Sequence, residues 1–278
     1  MESRRIEVAD GVSLMVGTSL DDTHPALVLL HGNGSHHRQF DIHEAALRNE
    51  FQLVSPSLRG HGGSSLPPPA PDAFALSTLA ADVLACLDAL GIAAAHVVGN
   101  SVGGLVGYEL VRAAPERVRS LVTFGTTAQL RTSASTRRAL VATQWLIGPR
   151  GAARLFSATS PSRETARAVR QLFRSTSRRA IVEITKHVAD YDYTDVVATM
   201  NAPLVIVRAE HDTSINRELT STLHAALANP AAEIVDVAGA GHFANLDRPN
   251  ELEALIRRAA RRVDTDQRPR AVDPEQPT

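Results

Sequence analysis

A parallel β-sheet with helices on both faces, interrupted once by a helical insertion, is the fold this sequence predicts. Three observations carry the prediction. Short continuous apolar runs such as Ala26–Leu30 (ALVLL) suit strands buried on both faces, as in a parallel sheet. These runs alternate with helical patterns across short loops, the rhythm of right-handed crossover units. That rhythm then breaks from about Thr132 to Ala189, where helical spacing continues with no strand signal. The chain has 278 residues, 44% of them hydrophobic, enough for one sizeable core.

The elements follow in order. Arg4–Val16 reads as a hairpin around Asp10-Gly11. Strand Ala26–Leu30 precedes helical spacing over His36–Arg48 and a short strand at Phe51–Ser55. Residues 59–71 are rich in Gly, Ser and Pro and form loop. A helix runs to Leu90, with Ser77 as its candidate cap and Gly91 at its left-handed end. Strand His96–Gly99, helix Val102–Ala113 with Pro115 as its stop, and strand Leu121–Phe124 complete the first half. The insertion holds helices at Ser135–Ile147, Ala152–Phe156, Glu164–Arg174 and Arg178–Ala189. Strands Leu204–Arg208 and Glu233–Val237 and an amphipathic helix at Glu251–Arg262 follow. The expected organisation is therefore a core of residues 1–126 and 198–263, a helical cap of 127–197, and a disordered polar tail of 264–278.

Composition excludes several classes of function. Lys and Arg number 29 against 30 Asp and Glu, so the net charge of −1 gives no general electrostatic grip on nucleic acid or an anionic membrane. No apolar stretch approaches the length of a spanning helix, and the N-terminus lacks the apolar core of a secretory signal. One cysteine, Cys86, permits neither an internal disulfide nor a thiolate metal cluster. A cytoplasmic protein without metal or organic cofactor is the expectation. Lys186 is the sole lysine, and the many cap arginines have the three- and four-residue spacing of solvated helix faces.

Gly99-Asn100-Ser101-Val102-Gly103 matches G-x-S-x-G between a strand and a helix. There a serine sits on a sharp turn that lifts its hydroxyl above the sheet, and small flanking residues let strand and helix backbones meet. A serine hydroxyl needs a base to become a nucleophile. His242, in the glycine-rich loop Gly239–Phe243 after the last strand, is placed to reach it. A carboxylate must orient that imidazole. The strand ending at Arg208 is followed by Ala209-Glu210-His211-Asp212; Asp212 has the longer reach, with Glu210 as its rival. Oxyanion donors are expected from the backbone N–H of Val102 and from the His31-Gly32-Asn33-Gly34 loop, at Asn33 or alternatively Gly34. Cap aromatics Trp145, Phe156 and Phe173 are candidates to line the substrate pocket.

Taken together, HGNG (31–34), RGHGGS (59–64), GNSVGG (99–104), AEHD (209–212) and GAGHF (239–243) resemble the α/β-hydrolase fold superfamily across about residues 4–262. The resemblance implies an eight-stranded, mostly parallel sheet whose second strand is antiparallel, a helical cap after the sixth strand, and a triad of Ser101, Asp212 and His242. It also implies that Arg59 and His61 are structural. Within the superfamily, dehalogenases and epoxide hydrolases use an aspartate nucleophile, which Ser101 disfavours. The segment around the elbow is similar to 3-oxoadipate enol-lactonases and small esterases. The expected function is serine-dependent hydrolysis of a small carboxylic ester or lactone. Cofactor-free perhydrolase (haloperoxidase) chemistry and C–C bond hydrolysis are the enzymatic alternatives, and a non-enzymatic ligand receptor is the alternative of another class.

Overall fold

A computed structural model describes residues 1–266. Eight strands form one sheet: β1 (Glu2–Ala9), β2 (Val12–Ser19), β3 (Ala26–Leu30), β4 (Gln52–Pro56), β5 (Ala95–Asn100), β6 (Val118–Phe124), β7 (Leu204–Ala209) and β8 (Ala232–Val237). Their spatial order is β1-β2-β4-β3-β5-β6-β7-β8. Pairing is parallel from β4 to β8, and β2 runs antiparallel to both its neighbours. The central strands β3 and β5 are buried at every residue; β3 (ALVLL) reads as an unbroken apolar run, whereas β5 (AHVVGN) also buries His96 and Asn100.

One face of the sheet is covered by helices α1 (Leu76–Ala89) and α2 (Val102–Ala113). The other is covered by α6 (Pro249–Asp266) and the turn of helix at His37–Leu47. The His36–Arg48 segment is a 3₁₀ stretch, His37–His43, followed by a single α turn, Glu44–Leu47. Helix α1 begins one residue before Ser77, with Ala75 at its N-cap and no side-chain cap bond, so Ser77 does not cap it. Gly91 closes it at φ 70°.

Between β6 and β7 the chain leaves the sheet and builds α3 (Ala134–Ala158), α4 (Arg163–Leu172) and α5 (Arg178–Val188). The two helices expected at 135–147 and 152–156 run into one another, with a kink where Gly148 leaves helical geometry before Pro149. A ribbon of Gln129–Leu130 against Tyr191–Asp192 ties the two ends of this excursion together. The cap rests on the loops at the top of the sheet. Thr176 Oγ1 donates to the Gly34 carbonyl at 2.7 Å, and the Ser177 N–H donates to the Gly60 carbonyl at 2.8 Å. The last helix continues to Asp266, past the start of the expected disordered tail; the rest of that tail lies outside the described residues.

Candidate active site

The site is assembled where the parallel strands end. After β5 the chain turns at Ser101 and enters α2 at once. Ser101 has φ 53° and ψ −116°, and among the described residues it alone adopts positive φ without being glycine. Backbone bonds hold this costly conformation: the Ser101 N–H donates to the Phe124 carbonyl at 2.9 Å, and the Ser101 carbonyl accepts from Gly104 and Leu105. The turn is as tight as the motif demands. A Cβ on Gly103 would lie 2.2 Å from the Leu30 carbonyl oxygen, and one on Gly99 would lie 2.4 Å from that of Gly103.

Asp212 follows β7 and His242 follows β8. Imidazole Nδ1 donates to Asp212 Oδ2 at 2.7 Å, and both side chains are largely buried. Burial pushes the Asp212 carboxyl upward, but hydrogen bonds from His242, the Ser214 hydroxyl and the Ile215 N–H outweigh it and hold its pKa below the usual carboxylate range. The carboxylate therefore stays an acceptor, and the imidazole keeps its proton on Nδ1 with Nε2 free to act as a base. Glu210 is elsewhere: its exposed carboxylate accepts from the Gly239 N–H at 2.7 Å and so braces the histidine loop.

Sequence reasoning missed a buried amide network behind Ser101 and the Asp212–His242 pair. Asn100 Nδ2 donates to the His242 carbonyl at 3.0 Å and to the Phe124 carbonyl at 3.3 Å, while its oxygen accepts from Gln39 Nε2 at 3.0 Å. Gln39 also donates to Asn245, which donates back to the Gln39 carbonyl. The elbow and the histidine loop are thus pinned to each other. A polar residue in the all-buried strand β5 was the available signal, since such a group needs partners.

The 31–34 loop is held by two buried neutral histidines. His31 Nδ1 donates to the Gly32 carbonyl while Nε2 accepts from the Leu58 N–H. His61 Nδ1 donates to the Arg59 carbonyl while Nε2 accepts from the Gly34 N–H at 3.1 Å. Burial holds the His31 pKa far below its ordinary value, and pushes that of His61 down to about 4. Because the Gly34 N–H is engaged by His61, Asn33 is the residue of this loop left facing the pocket beside Gly32. Arg59 forms a buried two-bond pair with Asp82 and also binds the Ala73 carbonyl, fixing the 59–64 turn from below.

A pocket of about 200 Å³ lies over Ser101. Asn33, Val102 and His242 line it from the core, and Phe156 and Phe173 from the cap. Phe156 stacks on the His242 ring, with centroids 5.0 Å apart and planes at 28°. Trp145 is not in this pocket. It is 63% exposed and lines a separate groove on the outer side of the cap, with Arg137, Val141 and Lys186. Leu140 and Gln144 take the inward positions of its helix. Among the described residues no group of His, Cys, Asp or Glu is placed to hold a metal ion, and no helix is long and apolar enough to cross a membrane.

A strand, a sharp serine-bearing turn, a helix, and an acid–histidine pair on two later loops define a class of α/β proteins built around a nucleophile elbow. The model of the alpha/beta hydrolase fold family matches residues 25–249, and the chain belongs to that family. Among its relatives is RutD of Klebsiella pneumoniae, provisionally assigned as a carbamate hydrolase, 25% identical over 246 residues that span 84% of this chain and 90% of the relative. The enol-lactonase of Burkholderia xenovorans superposes with a TM-score of 0.80 at 22% identity, covering 92% of this chain and 99% of its own. A thermophilic esterase of Thermogutta terrifontis superposes with a TM-score of 0.79 at 22% identity, covering 95% and 99%. At these identities the two structures speak to the fold.

Proposed function

We propose that this protein is a serine hydrolase that cleaves a small carboxylic ester or lactone through an acyl-enzyme. The observation that carries the reading is the juxtaposition of Ser101, on its strained turn, with the Asp212–His242 pair around one pocket. His242 Nε2 takes the Ser101 proton as Oγ bonds to the substrate carbonyl carbon, and the carbonyl π pair moves onto oxygen. The N–H groups of Val102 and Asn33 hold that oxyanion. Collapse expels the alkoxide, which takes the proton from His242. In a lactone the alkoxide stays tethered to the acyl group. His242 then deprotonates water, which attacks the acyl carbon; Ser101 leaves with its proton restored and the carboxylic acid is released.

Two further features support the reading. The nucleophile is an alcohol, suited to acyl transfer, rather than a carboxylate. The pocket is smaller than the roughly 300–1,000 Å³ common for ligand sites, which favours short substrates. The test is hydrolysis of a chain-length series of p-nitrophenyl esters and several lactones, with Ser101→Ala as control. Turnover on short chains that disappears in the control is the expected result. Turnover that survives in folded Ser101→Ala protein overturns the assignment.

A further inference from the structure

Leu140 and Gln144 are one helical turn apart on α3, and both face the catalytic pocket. Almost everything else the cap contributes there is hydrocarbon. The exception, Thr185, donates its hydroxyl to the Ile181 carbonyl of its own helix at 2.7 Å. Apart from Ser101 and His242, the polar side chains contributed by the core have partners as well. The Asn100 amide is spent on the His242 loop, and the Asn33 side-chain amide donates to the Ile181 carbonyl at 3.2 Å. Gln144 differs from all of these. Its Oε1 is buried and, among the described residues, has no hydrogen-bond partner.

A buried amide oxygen without a partner costs free energy, and a leucine or methionine would fill the same helical position without that cost. The cost is offset when a bound molecule supplies the missing donor. A site built to hydrogen-bond a substrate hydroxyl or N–H also rejects the analogue that lacks it, because the site's own polar group is then stranded. A second apolar wall residue would provide no such discrimination.

We propose that Gln144 is a specificity residue whose side-chain oxygen accepts a hydrogen bond from a hydroxyl or amide N–H that the substrate carries away from its scissile carbonyl. The proposal rests on the hydrolase reading and narrows it, from small esters and lactones at large to those bearing a hydrogen-bond donor on the acyl or alcohol part. The pocket's modest volume keeps that donor within a few bonds of the ester.

The test uses the full chain and esters paired so that one methyl becomes a hydroxyl. On the acyl side these are ethyl 3-methylbutanoate and ethyl 3-hydroxybutanoate, with ethyl 3-oxobutanoate as an acceptor-only member. On the alcohol side they are propyl butanoate and 2-hydroxyethyl butanoate. In the native protein, kcat/KM for at least one hydroxyl ester exceeds that of its methyl partner by about tenfold. In Gln144→Leu, and independently in Gln144→Met, that ratio falls to about one. A native ratio near one for both pairs, a ratio retained in both variants, or a preference for the 3-oxo ester overturns the proposal. Ser101→Ala separates the two readings. Lost turnover there with unchanged ratios in the Gln144 variants sinks only the Gln144 assignment, whereas retained turnover sinks the hydrolase reading itself.

Discussion

The two walls of the pocket over Ser101 are built on opposite principles. On the sheet side nearly every polar group is doubly held: Asp212 by His242 and Ser214, Asn100 by three partners, and His31 and His61 by one donated and one accepted bond each. On the cap side the wall is hydrocarbon apart from Thr185, whose hydroxyl bonds its own helix, and Gln144, whose Oε1 has no partner among the described residues; the outer surface exposes Trp145, Leu146 and Leu155. The sheet side fixes atoms to within a hydrogen bond's tolerance, as the proposed acyl transfer requires. The cap side fixes only shape and one polar direction, which is enough to choose among substrates.

Substitutions can break or sharpen this contrast. Ser101→Ala, on the sheet side, should lower turnover of a good ester substrate by about 10⁴-fold or more, measured on protein whose circular dichroism matches the native form. Phe156→Ala acts where the walls meet. Losing the ring that stacks on His242 should lower kcat/KM by about tenfold, through looser imidazole placement; an unchanged value would mean that Asp212 and the Asn100 network position the histidine without help. Trp145→Ala, on the outer cap, should leave kcat/KM within about twofold, and a large loss would mean that the outer groove communicates with the pocket.

Acid should also distinguish the two sides. The cap contains a single histidine, His187, whereas the loops beneath the pocket hold His31 and His61 neutral and buried. Their folded pKa values lie below the ordinary 6.5, with His61 at about 4. The unfolded chain therefore binds more protons than the folded one between these values. The contribution to stability is full above about pH 6.5 and is lost as pH falls toward 4. The melting temperature should drop between pH 7 and pH 5, and His61→Gln should flatten that drop even if it lowers the starting value. A melting temperature that is flat over this interval in the native protein would refute the account.

The same contrast explains what could be read before the structure. Fully buried strands write themselves as apolar runs, and the elbow is written in glycines because backbone atoms come within van der Waals contact there. Asp212 and His242 sit at strand ends whose positions those runs fix. The cap offered no such constraint. On the first half of α3 the inward pair, Leu140 and Gln144, and the outward pair, Val141 and Trp145, are each offset by one residue, and both faces carry apolar groups. Hydrophobic spacing cannot tell these faces apart, and choosing the large aromatic selected the wrong one. Short elements were lost for a related reason. The helices Thr213–Glu218 and Thr220–Leu227 and the ribbon Gln129–Leu130 with Tyr191–Asp192 are too short for a period to register and are set by tertiary contacts.

The contact between Phe173 and the 31–34 loop has a consequence for how such a protein can change over evolutionary time. Gly34 has φ 98°, and a Cβ there would lie 2.2 Å from the Phe173 ring, while Thr176 bonds the Gly34 carbonyl. The cap is inserted at one point of the chain and looks like a detachable module, yet it is keyed into the loop beside Ser101. A transplanted cap lacking an aromatic ring at the Phe173 position would arrive without that key. The chimera would keep Ser101, Asp212 and His242 and still present a displaced loop, so inheritance of new selectivity is expected to proceed by small repacking within the cap or by paired changes across contacts such as this one.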